Sequence, residues 1–147
     1  MNLNNVTISN MNLDDLYSIK DTLEVDFDDF WNFNVFESEL QNPNSTYFVL
    51  RYETEIIGFA GILTVLDEAE ITNIVIKKCY RNLGLSRILL NALLDFASSH
   101  KLTKIHLEVN SINSIAIHLY ESFGFAQVGL RPNYYKNQSA ILMSKFF

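Results

Sequence analysis

The stretch Arg81–Phe96, RNLGLSRILLNALLDF, decides the fold. From the turn at Gly84 its apolar residues recur at Leu85, Ile88, Leu89, Ala92, Leu93 and Phe96. That is the i, i+3, i+4, i+7 spacing of a helix laying one stripe on a sheet. Just upstream, Ile71 to Ile76 is rich in β-branched residues and reads as a strand. Strand, glycine turn and helix thus follow one another without a break. At such a junction the first helical N–H groups lack intrahelical partners and the helix dipole places positive charge there, so a pyrophosphate fits. Arg81 and Arg87 add cationic side chains beside it. The same features also describe an ordinary strand-to-helix loop that binds nothing. Neither G-x-x-x-x-G-K-[ST] nor G-x-G-x-x-G is present, which disfavours a nucleotide triphosphatase or a Rossmann dehydrogenase.

Working outward, Lys104 to Val109 (KIHLEV) alternates as a strand, with Ile105, Leu107 and Val109 on one face and His106 and Glu108 on the other. Asn113 can cap a helix bearing Ile115, Ala116, Leu119, Tyr120 and Phe123, and Gly124 suits a left-handed stop. Upstream, strand signals at Thr46 to Arg51, Ile56 to Val65 and Glu70 to Ile76 lie close enough for an antiparallel meander. Val6 to Ile8 reads as a short first strand, and Asn12 as the cap of a helix. A short helix is expected over Val35 to Leu40, and Asn42-Pro43 ends it. Ala126 to Leu130 and Ala140 to Lys145 read as the last strands, separated by the loop RPNYYKNQ. The order β-α-α-βββ-α-β-α-ββ implies an α/β domain over residues 1–147, with a mixed, mostly antiparallel sheet of six to seven strands. A central parallel pair should join the strand before the Arg81–Phe96 unit to the one after it, and helices should cover both faces.

The segment Asp26 to Phe33 is acidic and aromatic together, with Trp31 among its rings. It reads either as aromatics closing over the core or as a wall for a cationic substrate. Charged residues make up 19% of the chain and the formal net charge is −6, which disfavours non-specific nucleic-acid binding and suits a cationic partner. The single cysteine, Cys79, excludes an intrachain disulfide. His100, His106 and His118 lack zinc-ligand spacing, so no metal is expected. The segment MNLNNVTISN has no basic stretch followed by an apolar run, and no stretch spans a bilayer. A cytoplasmic protein without a membrane partner is expected.

Two residues stand out for chemistry. Glu108 lies near the C-terminal end of the strand after the glycine-turn helix, where open α/β sheets collect ligands, and a carboxylate there can take a proton from an amine. Tyr120, on the next helix, carries a phenol that can donate one. A solvated glutamate and a half-buried core tyrosine are the plain alternatives. Tyr134 and Tyr135 form an aromatic pair in a polar loop, either core or a substrate-side lid.

Together these pieces resemble the GNAT superfamily of acetyl-CoA-dependent N-acetyltransferases over nearly the whole chain. The family's pyrophosphate motif, Gln/Arg-x-x-Gly-x-Gly/Ala, stands here as Arg81-Asn82-Leu83-Gly84-Leu85-Ser86. Within the superfamily, Leu107-Glu108-Val109, Ser111 through Phe125, Arg131 with Tyr134 and Tyr135, and Asp67 through Ile74 are similar to motifs of the ribosomal-protein-alanine N-acetyltransferases. The resemblance implies that acetyl-CoA is the cosubstrate and that backbone amides of Arg81 to Ser86 hold its pyrophosphate. It further implies that Ile74, Val75 and Ile76 pair with the pantetheine arm, that Asn113 contacts the cofactor, and that Glu108 and Tyr120 are base and acid. Trp31, Tyr134 and Tyr135 would then face the acceptor, a protein N-terminal α-amine. A small-amine acceptor and a non-catalytic acyl-CoA-binding module are the rival readings. Three residues depart from the pattern: Ser86 in place of Gly/Ala, Asn110 in place of arginine after L-E-V, and Ser139 where an acidic residue often precedes the final strand.

Overall fold

A computed structural model describes residues 1–27, 32–135 and 137–147, with the backbone alone at Tyr135. The chain runs β1 (Val6–Asn10), α1 (Leu13–Ser18), α2 (Phe33–Gln41), β2 (Ser45–Tyr52), β3 (Glu55–Val65) and β4 (Glu68–Ile76). It continues through α3 (Ser86–Ser99), β5 (Lys104–Asn110), α4 (Ser114–Ser122), β6 (Ala126–Tyr135) and β7 (Gln138–Phe146). Among the described residues the strands form one seven-stranded sheet in the order β1-β2-β3-β4-β5-β7-β6. Its β4–β5 pair is parallel and the other pairs are antiparallel. The mixed sheet read from the sequence is thus present.

Local chemistry sets the helix ends. Asn12 and Asp15 form a reciprocal capping box, Asp15 N–H donating to Asn12 Oδ1 at 2.9 Å and Asn12 N–H to Asp15 Oδ2 at 3.0 Å. Asn113 Oδ1 accepts from the Ala116 amide at 3.2 Å, and Gly124 stops α4 at φ +93°. Two apolar clusters cover the two sheet faces. One gathers Leu85, the N-cap of α3, and Leu89, Leu90 and Leu93 of that helix over Ile62, Ile71, Ile105 and Leu107, with α4 packed against it through Leu119 and Tyr120. The other gathers Leu16 of α1 and Phe36 of α2 over Tyr47, Val49, Phe59 and Val75.

One expectation needs correction. The segment RPNYYKNQ, expected as a loop, is mostly strand: β6 continues to Tyr135 and β7 begins at Gln138. Pro132 is tolerated because β6 is the edge strand, where one side of the backbone needs no ladder donor. Asn133 at φ +58° lies within the register shift between Arg131 and Tyr135 that absorbs the local turn chemistry. The acidic–aromatic segment includes a π-helical turn, Leu23–Phe27, whose Phe27 is buried in the second cluster. Trp31 lies outside the described residues.

The parallel ladder is short. It pairs Glu68 with Lys104, Ala69 with Ile105 and Glu70 with His106, then stops, although β4 runs on to Ile76 and β5 to Asn110. The cause lies two residues further along β4. Gly61 pairs with Asn73 and Ile62 with Ile71, so Thr72 is an extra residue that bends β4 away from its neighbour. Tyr47 holds this bulge from the second face, its hydroxyl 3.2 Å from Thr72 Oγ1. The ring can lie there only because Gly61 has no side chain: a Cβ at 61 would stand 2.2 Å from Tyr47 Cζ. Gly61→Ala should therefore cost ~1–3 kcal/mol by overpacking. Tyr47→Phe, which loses one hydroxyl contact, should cost only about 1 kcal/mol. Urea unfolding of both variants checks the ranking, and an unchanged midpoint for Gly61→Ala would contradict it.

Candidate active site

Beyond Glu70 and His106, the facing edges of β4 and β5 open into a cleft. A Cβ at Gly58 of β3 would stand 2.9 Å from the Val75 carbonyl oxygen, so the Val75 backbone faces β3. By strand alternation the backbone groups of Ile74 and Ile76 face the cleft. The Ile76 carbonyl already accepts from Arg81 Nε at 2.9 Å.

At the end of β4 the chain turns through residues 77–85 into α3. Asn82 (φ +65°) and Gly84 (φ +75°) both take left-handed conformations, which asparagine and glycine adopt most readily. Nothing lies within 4 Å of where a Gly84 Cβ would be, so the turn faces open space. The N-cap of α3, Leu85, has no side-chain hydrogen bond to the helix. Amides of residues 82–85 have no hydrogen-bond partner among the described residues. A turn with unengaged N–H groups at the positive end of a 14-residue helix fits a pyrophosphate. Ser86 is the first residue of that helix.

Both arginines near this turn point elsewhere. Arg81 Nη2 donates to the Phe27 carbonyl at 2.9 Å, so its side chain joins the end of β4 to the π-helical turn. Arg87 bridges to α4, donating to Ser122 Oγ at 3.3 Å with its guanidinium 4.7 Å from the Phe123 ring centroid. The turn thus offers backbone amides rather than these guanidinium groups.

Glu108 and Tyr120 approach from opposite faces. Ile105, Leu107 and Val109 point into the α3 cluster, so Glu108 points to the other face of β5. One of its oxygens, Oε1, lies 3.1 Å from Arg131 Nη2 of β6. Tyr120 lies on the α3 side, its ring edge-on to Phe125 at 5.9 Å between centroids. Burial pushes its hydroxyl up to about 12, which keeps it protonated at neutral pH. The two side chains can serve one ligand only if that ligand passes between β4 and β5.

The remaining sequence candidates are placed as follows. Asn113 spends its side-chain oxygen capping α4. Tyr134 is half-exposed, its ring centroid 5.5 Å from the Arg131 guanidinium. Tyr135 pairs with Gln138 through its backbone. The contact of Arg131 with Glu108 was missed by sequence reasoning, because β6 reaches β5 only across β7. A separate polar groove of about 470 Å³ is lined by Asp15, Arg51, Glu55 and Lys77 among others. Its charges neutralise one another: Arg51 pairs with Asp15, and Lys77 with Glu55 at 2.8 Å. No group of three or more His, Cys, Asp or Glu suited to a metal occurs among the described residues. Nor is any described helix long and apolar enough to cross a membrane.

The family model described as "Acetyltransferase (GNAT) family" matches residues 13–125. The [ribosomal protein bS18]-alanine N-acetyltransferase of Escherichia coli (strain K12) is 36% identical over 118 residues, 78% of this chain and 79% of that protein. N-alpha-acetyltransferase RimI of Mycobacterium tuberculosis is 38% identical over 117 residues, 77% and 72% of the two chains. The crystal structure of the Escherichia coli ribosomal-protein-S18-alanine N-acetyltransferase superposes with a TM-score of 0.88 at 33% identity, covering 96% of this chain and 93% of that one.

The buried phenols have a measurable consequence. Tyr120 rises from the ordinary 10 to about 12, and burial also raises Tyr47. As pH climbs past 10 the unfolded chain gives up these protons first, so the folded state loses stability between about pH 10 and 12. Tyr120→Phe should lose less melting temperature than the parent between pH 8 and pH 11. An equal loss would show that Tyr120 is not buried in this way.

Proposed function

The chain belongs to the GNAT acetyltransferase family, and we propose that its acceptor is a protein N-terminal α-amine, with Glu108 as general base and Tyr120 as general acid. As a family member it is an acetyl-CoA-dependent N-acetyltransferase. The observation that carries the assignment is the cleft between β4 and β5, with a carboxylate on one face and a protonated phenol on the other.

Bound acetyl-CoA supplies an activated thioester. The amides at residues 82–85 and the start of α3, including Ser86, would hold its pyrophosphate. Along the open edge of β4, backbone groups of Ile74 and Ile76 would pair with the pantetheine arm. Asn113, at the start of α4, would lie along the same arm. Glu108 takes a proton from the acceptor amine, whose ordinary pKa of ~8 leaves a sizeable neutral fraction near pH 7. Tyr120, across the cleft, delivers its proton to the departing sulfur. Little covalent help is needed, so holding the two reactants in line should supply most of the rate.

A peptide terminus is favoured over a polyamine by what surrounds Glu108. Its ion-pair partner is a cation, Arg131, and Asn110 nearby donates to Gln138 Oε1 at 2.8 Å. A polyamine carries further ammonium groups, and these neutral or positive neighbours offer them no counter-charge. The bS18-alanine specificity named for the relatives points the same way. Tyr134, Tyr135 and Trp31 are the aromatic residues proposed to contact the peptide.

Acetyl-CoA should raise the melting temperature, because a ligand bound only by the folded state stabilises it. Gly84→Asp, which puts a carboxylate into the open space of the turn, should abolish that rise while the protein still folds. A full rise in this variant would sink the pyrophosphate assignment. For the chemistry, a peptide beginning with alanine and a panel of small amines serve as acceptors. Glu108→Gln should lower kcat/KM by ~10² or more near neutral pH, with partial recovery at higher pH as the amine deprotonates unaided. Tyr120→Phe should lower kcat with little change in acetyl-CoA affinity and weaker recovery at high pH. Near-normal rates for both variants when folded and saturated would leave positioning alone as the source of catalysis. Faster turnover of a polyamine than of any peptide would overturn the acceptor assignment.

A further inference from the structure

We propose that Arg131 is a positioning residue for Glu108: it holds one carboxylate oxygen so that the other is presented to the acceptor amine. The proposal rests on the assignment of Glu108 as the base. Arg131 Nη2 touches Oε1 at 3.1 Å, and Oε2 has no partner among the described residues. One oxygen of the carboxylate is thus left without a hydrogen bond to any described residue.

The register explains how a residue two strands away reaches β5. Arg131 pairs with Ala140, which pairs with Asn110; Gly129 pairs with Leu142, which pairs with Glu108. Arg131 thus starts one row beyond Glu108, and its side chain must cross β7 diagonally. Ala140, in the row of Arg131, carries only a methyl group, and Leu142, in the row of Glu108, leans over Gly129, its Cδ1 2.9 Å from where a Cβ would stand. On the far side the guanidinium rests 5.5 Å from the centroid of the Tyr134 ring, within range of a cation–π contact. Asn110, which could compete for Glu108, is occupied by Gln138. The route, the support and the absence of competition all direct this cation to Glu108.

Stability does not account for the arrangement. The Arg131 side chain is 54% exposed and that of Glu108 21%, and ion pairs so open to solvent add little to folding. The effect belongs to the side chain's geometry. A glutamate without a partner spreads over several rotamers, and only those aiming an oxygen into the cleft can receive a proton from the acceptor. Arg131 concentrates the population in one of them.

The test uses Arg131→Met, which keeps the stem and loses the charge, and Arg131→Lys, which keeps the charge. Each is made in the parent and in Glu108→Gln. With an alanine-initiated peptide, Arg131→Met should lower kcat about three- to tenfold with the KM for acetyl-CoA unchanged, the scale of a modest misorientation. Arg131→Lys should recover most of the loss. In the Glu108→Gln background Arg131→Met should have no further effect, because a residue that acts through Glu108 has nothing left to position. A persistent loss there would mean that Arg131 acts on the acceptor directly, and would overturn the proposal. Full activity of Glu108→Gln alone would overturn the base assignment first, and the proposal with it. A second readout needs no turnover. In protein labelled with carbon-13 at glutamate side-chain carboxyls, the Glu108 resonance, identified by its loss in Glu108→Gln, should move in Arg131→Met and return in Arg131→Lys. A resonance that stays in place shows that the contact is not held in solution, and the proposal fails.

Discussion

Strands β4 and β5 share only three residue pairs, and the early end of that ladder is the constraint on which the site depends. A sheet that closed fully would satisfy its own backbone and leave nothing for a ligand to pair with. Here one edge remains open along Ile74 and Ile76, while β5 is satisfied on its other side by β7. An open edge inside a sheet is costly unless something else supplies hydrogen bonds. The extra residue at Thr72, held by Tyr47 over Gly61, keeps the strands from closing. Stability at Tyr47 and the shape of the site therefore share a cause.

The cleft also sorts the chemistry by side. The turn that opens α3 and Tyr120 belong to the half of the molecule built on α3 and α4. Glu108, Arg131 and Tyr134 belong to the other face, where β6 and β7 extend well beyond the turn that the sequence suggests. A carboxylate on one face and a protonated phenol on the other are thus separated by the sheet and meet only across the cleft.

Legibility followed the range of the interactions involved. The stripe from Leu85 to Phe96, the caps at Asn12 and Asn113 and the stop at Gly124 are decided within a few residues, and sequence alone was enough to read them. The motif Arg81 to Ser86 was placed correctly as a turn opening a helix, yet the reach of its arginine to Phe27, 54 residues away, left no local trace. The segment RPNYYKNQ was misjudged because proline and asparagine favour turns locally, whereas pairing with β7 and an edge position outweighed that preference. The pair Arg131 and Glu108 depends on strand order, in which β7 is inserted between β5 and β6. Nothing in the spacing of the two residues encodes that insertion.

The bulge at Thr72 leaves its mark on the sequence itself. In β4 the residues facing α3 are Ala69 and Ile71 before the bulge, then Ile74 and Ile76 after it, while Val75 joins the opposite cluster. The inward positions are odd-numbered in the first half and even-numbered in the second. Along EAEITNIVI the alternation of apolar and polar residues misses a beat between Ile71 and Ile74. A strand is a two-beat signal, and one added residue shifts its phase by half a cycle without interrupting it. The place where the rhythm slips is the place where the sheet comes apart.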